Sequence, residues 1–238
     1  MEHKVALVTG GARGLGRAIA ERLLDNGLKV CIADIMEETG RAAAQELATK
    51  YGEERVAFEC CDTSVEQQFS DAWTRCEEQL GKLDLLGGYI TGSLLAFERM
   101  RSVGDDAPGV GGTVINVASI AAIKTLPFGP IYSATKSGVV GLSRALGHPL
   151  HHSLTGVKVL CLCPSLISGT PFLQCAMEKA FSPAVAKALQ AAGGKIKPLT
   201  VPEVVEAFSK LLEEEVNGSV LVVEAGKEPY YSLPEIPS

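Results

Sequence analysis

"TGGARGLG", residues 9–16, follows the apolar run "KVALVT" (4–9) and opens the helical pattern "GLGRAIAERLLDNG" (14–27). Leu15, Ile19 and Leu23 recur every four residues and form one buried stripe, while Arg17, Glu21 and Arg22 can stay in water. A strand, a turn carrying Gly10, Gly14 and Gly16, and an amphipathic helix make a βα unit. Glycines let the backbone approach a pyrophosphate closely, and a helix start presents free N–H groups and a positive dipole end to it. Asp34 closes the next strand-like run, "KVCIAD" (29–34), where a carboxylate can accept both ribose hydroxyls of NAD and would repel the 2′-phosphate of NADP. Arg13 points the other way, because a basic side chain in this turn suits that phosphate. The plainer alternative is a glycine-rich turn beside a surface aspartate.

Working outward, strand-length runs alternate with helical patterns: "EETGRAAAQELATKYG" (37–52), "RVAFEC" (55–60), "VEQQFSDAWTRCEEQLG" (65–81), "LDLL" (83–86), "YITGSLLAFERM" (89–100) and "TVINVA" (113–118). The alternation predicts βαβ units and a single-domain, Rossmann-like, doubly wound parallel sheet with helices on both faces. Beyond it come one long helical pattern, "PIYSATKSGVVGLSRALGHPLHHSL" (130–154), a strand at 157–164, a loop-and-helix stretch to about Lys195, a helix at 201–215 and a last strand at 219–224. "RSVGDDAPGVGG" (101–112) reads as a surface loop, and the tail from Gly226 as irregular. The dinucleotide-binding portion is expected to run to about residue 165, a substrate loop and helix over 166–200, and a closing helix and strand over 201–238.

Composition narrows the functions. Hydrophobic residues are 46% and charged residues 21% of the 238 residues, as in folded globular proteins. The net charge of −6 comes with no dense Lys/Arg cluster, which argues against a nucleic-acid partner. No apolar run approaches the roughly 20 residues of a membrane span. The seven cysteines, Cys31, Cys60, Cys61, Cys76, Cys161, Cys163 and Cys175, are odd in number and scattered, so reduced thiols and a cytoplasmic location are expected. Cys161 and Cys163, two apart on a strand, share a face and read as core. "GHPLHHSL" (147–154) lacks carboxylates or cysteines at ligand spacing. No metal site is expected, and its histidines read as a solvated helix end.

A reaction is suggested by "PIYSATK" (130–136). Pro130 suits the first position of a helix, so Tyr132 and Lys136, four apart, share one helical face. A phenol has an ordinary pKa of about 10, and a neighbouring ammonium favours its ionised form. Such a phenol can exchange a proton with an alcohol or carbonyl. Ser119, after "TVINVAS", lies one βα loop away and can hydrogen-bond the same oxygen. Taken alone, Tyr132 and Lys136 could equally be a solvated face.

Together these elements resemble the short-chain dehydrogenase/reductase family over nearly the whole chain. "TGGARGLG" is similar to its TGxxxGxG, "YSATK" to its YxxxK, and Ser119 to its catalytic serine thirteen residues before the tyrosine. Asp62 in "CCDTS" matches the aspartate that contacts adenine. Within the family, "GGTVINVASIAAI", "PIYSATKSGVVGLSRAL" and "SLLAFERM" look most like the 15-hydroxyprostaglandin dehydrogenase branch. The resemblance implies catalytic Ser119, Tyr132 and Lys136, and an NAD site drawn from Gly10, Arg13, Gly14, Leu15, Gly16 and Asp34. Ile35, Asp62, Thr63, Tyr132, Lys136 and Ile167 complete that site, with Ser119, Gly129 and Leu166 at the substrate. It further implies a homodimer that oxidises a secondary alcohol of a lipid-like molecule, or reduces the ketone.

Departures from the pattern accompany the match. In "KLDLLGGYITGSLLAFERM" (82–100), "LDLL" meets "GGYITGS" directly, without the family's NNAG motif or the asparagine that completes its Ser-Tyr-Lys-Asn tetrad. A βα loop of about 2–6 residues permits such a join, whereas losing the end of a central strand threatens an unpaired buried edge. Pro164-Ser165 stands for the family's PG. Gly169 or Thr170 takes the place of the threonine that touches the cofactor amide, and Gly129 that of the prostaglandin branch's glutamine. Two functions therefore stand: an NAD-dependent alcohol oxidoreductase, or a shortened or impaired relative that binds cofactor or dimerises.

Overall fold

A computed structural model of the chain describes residues 4–88, 90–101, 111–170, 174, 177–178, 182–193 and 196–232. Its centre is one eight-stranded sheet. In chain order the strands are β1 (Val5–Thr9), β2 (Lys29–Asp34), β3 (Val56–Cys60), β4 (Leu85–Gly88), β5 (Thr113–Val117), β6 (Lys158–Pro164), β7 (Val220–Val223) and β8 (Tyr230–Tyr231). In space they run β3-β2-β1-β4-β5-β6-β7-β8. Every neighbouring pair is parallel except the last, so the expected doubly wound sheet is the observed one. The order reverses between β1 and β4, the switch point at which such sheets open a crevice beyond the carboxyl ends of their strands.

The helices are α1 (Gly14–Asp25), α2 (Glu37–Tyr51), α3 (Glu66–Leu80), α4 (Ile90–Met100), α5 (Pro130–Leu146), α6 (Pro149–Thr155), α7 (Pro183–Gly193) and α8 (Val201–Glu214). Alternation along each strand sends its side chains to two cores. Ala6 and Val8 of β1 meet Ile19, Leu23, Val204 and Phe208 of α1 and α8. Val5 and Leu7 meet Phe69 and Trp73 of α3 and Met100 of α4 on the other face. Cys161 and Cys163 fall together in a third cluster with Val139 and Val140 of α5, as their spacing predicts.

The join between β4 and α4 is accommodated within the sheet. Leu85, Leu86 and Gly87 of β4 pair with Ala6, Leu7 and Val8, and all four β4 residues pair with Thr113 to Asn116. Asp84 Oδ2 accepts the Val5 N–H at 2.9 Å, and Thr9 Oγ1 donates to the Gly87 carbonyl at 3.1 Å. The strand therefore leaves no open edge at its centre, and α4 starts at Ile90.

Three expectations need correction. Not all cysteines are reduced, because Cys31 of β2 and Cys76 of α3 form a disulfide across 45 residues of chain. Cys31 faces α3, whose buried stripe Phe69, Ala72, Trp73, Cys76, Leu80 brings the partner to it, a pairing that linear spacing does not reveal. The long pattern at 130–154 is two helices, since Pro149 opens α6 with no N–H to continue α5. Gly147, between them, packs so tightly that an added Cβ would lie 2.4 Å from Gly218 Cα. Finally, the tail is partly ordered as β8, antiparallel to β7. The loop expected at 101–112 falls largely at 102–110, outside the described residues, as do His3, Cys175 and much of 171–181.

The disulfide carries a prediction. Reduction is expected to release two thiols per chain and to lower unfolding stability by about 2–4 kcal/mol, because it lengthens the free unfolded chain. Thiol titration under denaturing conditions and denaturant unfolding, each with and without reductant, measure both effects.

Candidate active site

At the head of α1 the glycine turn is shaped by necessity. Gly10 and Gly14 have φ of 66° and 57°, and a Cβ on Gly16 would lie 2.1 Å from the Gly10 carbonyl oxygen. The Gly10 N–H donates to the Ala33 carbonyl at 2.8 Å, tying the turn to β2. Arg13, the residue that caps α1, makes no side-chain cap, so the first-turn N–H groups face outward as an anion seat. Asp34 is 8% exposed. Its Oδ2 accepts the Ala12 N–H and its Oδ1 the Met36 N–H, each at 3.0 Å. A carboxylate has about four acceptor positions, so each oxygen keeps one for a hydroxyl.

The remaining residues flank this turn. Ile35 is exposed beside Asp34 and offers an apolar surface, and Arg13 is exposed on the turn itself. Asp62, after β3, accepts the Ser64 hydroxyl at 2.7 Å and the Ser64 N–H at 2.9 Å, which hold its carboxyl below the usual carboxylate range. Thr63 beside it is half-buried.

Beyond β5 the structure brings Ser119, Tyr132 and Lys136 to the wall of one cavity of about 460 Å³. Ser119 is buried and its Oγ accepts the Ala121 N–H at 3.2 Å, which leaves its own proton to donate elsewhere. Pro130 starts α5, so Tyr132 and Lys136 lie one turn apart; Lys136 Nζ is 5.8 Å from the centre of the Tyr132 ring. Lys136 Nζ donates to the Val117 carbonyl at 3.1 Å, and burial lowers its pKa from the usual amine value. A smaller cavity of about 80 Å³ is lined by Thr9, Gly10, Gly16, Gly87 and Gly88. Both cavities are bounded by Leu15 and Val117, so the glycine turn adjoins the Ser-Tyr-Lys wall.

Leu166, Ile167 and Thr170 also line the larger cavity, held there because Leu199 donates to the Leu166 carbonyl and Ser168 to the Leu199 carbonyl, both at 2.7 Å. Gly129 does not line it; it precedes α5 and sits behind the Tyr132 Cβ. Ser165, in the place of the family's glycine, has a buried hydroxyl with no hydrogen-bond partner among the described residues. Asn116 is turned away from the cavity, accepting from Ser93 Oγ at 2.7 Å and donating to Ser143 Oγ at 3.0 Å. Sequence reasoning missed Lys124, Leu126, Phe128 and Glu224 at the wall. Only the position of Glu224 at the end of the last parallel strand hinted at it.

Among the described residues no three His, Cys, Asp or Glu side chains are grouped to hold a metal. The histidine expectation needs amending in part. His148 caps the start of α6, its Nδ1 accepting the Leu150 N–H at 3.2 Å, and His151 stacks edge-on with Phe97.

The family model for short chain dehydrogenases matches residues 4–93 and 86–180, two pieces that meet at the β4–α4 join. The chain belongs to the short-chain dehydrogenase family, a family of oxidoreductases. It is 30% identical to 15-hydroxyprostaglandin dehydrogenase [NAD(+)] of Rattus norvegicus over 72% of this chain and 70% of that one. It is also 30% identical to 3-hydroxyacyl-CoA dehydrogenase type-2 of Drosophila melanogaster, over 75% and 80% of the two chains. Among solved structures, L-sorbose reductase of Gluconobacter frateurii, complexed with NADPH and L-sorbose, shares the fold at a TM-score of 0.76 and 23% identity, covering 94% of this chain and 96% of that one. No helix among the described residues is long and apolar enough to cross a membrane.

Proposed function

We propose that the chain is an NAD-dependent oxidoreductase that oxidises a secondary alcohol of a lipid-like substrate or reduces the matching ketone, with 15-hydroxyprostaglandin-type alcohols among the candidates. The observation that carries this is the placing of Ser119, Tyr132 and Lys136 along one cavity beside the glycine turn. The residues present fit a nicotinamide dinucleotide. Gly16 leaves a cradle that a Cβ would fill, α1 begins with uncapped N–H groups, and Asp34 keeps acceptor capacity for ribose hydroxyls. Ser165 holds a buried hydroxyl with no partner among the described residues where the cavity passes β6. When bound, the nicotinamide supplies the hydride exchange.

The protein's own part is position and proton transfer. Ser119, already accepting from Ala121, donates its hydroxyl proton to the substrate oxygen and orients it. Tyr132 takes the proton of the substrate hydroxyl in oxidation and returns one to the carbonyl oxygen in reduction. Lys136, held by Val117, keeps an ammonium beside the phenol and favours its ionised form. Leu126, Phe128 and Leu166 exclude water around the chain of the substrate. Asp34 favours NAD over NADP by repelling a 2′-phosphate, against the opposite pull of Arg13.

A second reading, a family-derived protein that binds cofactor without turnover, is supported by the two-piece family match and by the absence of asparagine from the described cavity lining. Titration of the purified protein with NADH and NADPH, followed by nicotinamide fluorescence, tests the cofactor site without a known substrate. Saturable NADH binding tighter than that of NADPH is expected, followed by NAD reduction on a panel of secondary alcohols. Binding without turnover on any of them supports the second reading, and no binding of either nucleotide overturns the first.

A further inference from the structure

Cys161 and Cys163 serve neither the proposed chemistry nor the disulfide. Both thiols are free and buried on one face of β6, and their sulfurs lie 4.0 Å apart, so one can donate to the other. Cys161 pairs in the sheet with Asn116, and the Leu162 carbonyl between the two cysteines accepts the Ala118 N–H at 2.8 Å. The pair packs against Ala118 and against Val139 and Val140 of α5. A single buried thiol is ordinarily inert core. Two sulfurs in contact are a pair of soft donors aimed at one point.

The surroundings suit a charged complex. Val139 and Val140 lie three and four residues after Lys136, so they share its side of α5. Burial pushes the Lys136 amine below its usual value and the two sulfurs pull it back up, so its ammonium is within electrostatic reach of both. A way in is also present. Ala118, which packs on the pair, and Pro164, which follows Cys163, both line the cavity of about 460 Å³. The sulfurs therefore stand one residue behind its wall.

We propose that Cys161 and Cys163 form a binding site for copper(I), a soft monovalent cation held between two thiolates. Both thiols give up a proton, each sulfur supplies one electron pair to the metal, and nothing is oxidised or reduced: two thiols and one Cu⁺ give a bis-thiolate copper anion and two H⁺. Thiolate ligands select soft cations of this kind. Two metal–sulfur bonds of about 2 Å set in line span roughly 4 Å, the separation already present. The complex carries one negative charge, which the Lys136 ammonium offsets. Zinc calls for four ligands, whereas among the described residues no three His, Cys, Asp or Glu side chains are grouped. The site does not depend on the proposed oxidoreductase activity.

The test titrates the purified full-length chain, without oxygen and with ascorbate present, against copper(I) held by the coloured chelator bicinchoninate. Withdrawal of one equivalent per chain is expected, with a sulfur-to-copper charge-transfer band in the ultraviolet. Cys161→Ala and Cys163→Ala, checked for folding by circular dichroism, are each expected to lose both signals. The triple variant Cys60→Ser, Cys61→Ala, Cys175→Ser leaves Cys161 and Cys163 as the free thiols beside the Cys31–Cys76 bond, and it is expected to keep both. X-ray absorption of the loaded triple variant should show two sulfur neighbours and no nitrogen or oxygen, which decides the site even where an alanine variant fails to fold. Four results overturn it: no withdrawal by the parent, uptake that survives in a folded Cys161→Ala or Cys163→Ala protein, uptake lost in the folded triple variant, or a shell of three or more ligands.

Discussion

Tyr132→Phe is expected to lower turnover of a secondary alcohol by about 10²–10⁴, the range for loss of a positioned general acid or base. The change removes one oxygen and leaves the ring, so α5 and its Pro130 start remain intact. Lys136 still lies over that ring at 5.8 Å and still donates to Val117, and Ser119 still accepts from Ala121. What disappears is the group that exchanges the proton. The pH profile gives a second readout. A phenol becomes a base as it loses its proton with rising pH, so oxidation by the parent should climb with pH. The phenylalanine variant should lose that limb. Steady-state rates of both proteins across neutral to alkaline pH, with circular dichroism to show equal folding, measure it. A variant that keeps the parental rate and slope would refute the proton-transfer role.

Gly16→Val is expected to abolish cofactor binding. A Cβ there would stand 2.1 Å from the Gly10 carbonyl oxygen and 2.7 Å from its carbon. Backbone cannot yield as a flexible side chain can, so the turn must open and the N–H groups at the head of α1 lose their aim. Overpacking of this kind costs about 1–3 kcal/mol of stability, leaving a folded protein with a distorted turn. Gly14→Ala makes the contrast. Nothing lies within 4 Å of its added Cβ, and the cost is the left-handed φ of 57°, about 1–2 kcal/mol. NADH fluorescence titration should show no saturation for Gly16→Val and weakened saturation for Gly14→Ala. Parental affinity in Gly16→Val would place the pyrophosphate elsewhere.

The join between β4 and α4 bears on both outcomes. Against the family pattern, "LDLLGGYITGS" threatened an unpaired central edge, yet β4 pairs on both sides and Thr9 bonds the Gly87 carbonyl. The fold therefore tolerates the join, with β4 paired on both sides. Asn116, close in sequence to Ser119, does not stand in for the asparagine of the family pattern, because its amide is committed to Ser93 and Ser143. A slow enzyme and a cofactor-binding relative differ in turnover, not in fold.

Much of the architecture was legible from local signals. The stripe of Leu15, Ile19 and Leu23, the runs "KVCIAD" and "TVINV", and Pro130 before "IYSATK" each depend on residues a turn or a strand apart. The period of a helix or strand is set by the backbone itself, so those features could be read along the chain. Gly10, Gly14 and Gly16, with Asp34 and the pair Tyr132 and Lys136, belong to the same class. The tertiary structure alone decided the Cys31–Cys76 bond, the break at Gly147 against Gly218, the pairing of Tyr230 and Tyr231 with β7, and the Lys124–Glu224 cluster. Each joins groups far apart in sequence through the packing of one element on another. No local period encodes such a contact, because it exists only after burial has brought the elements together.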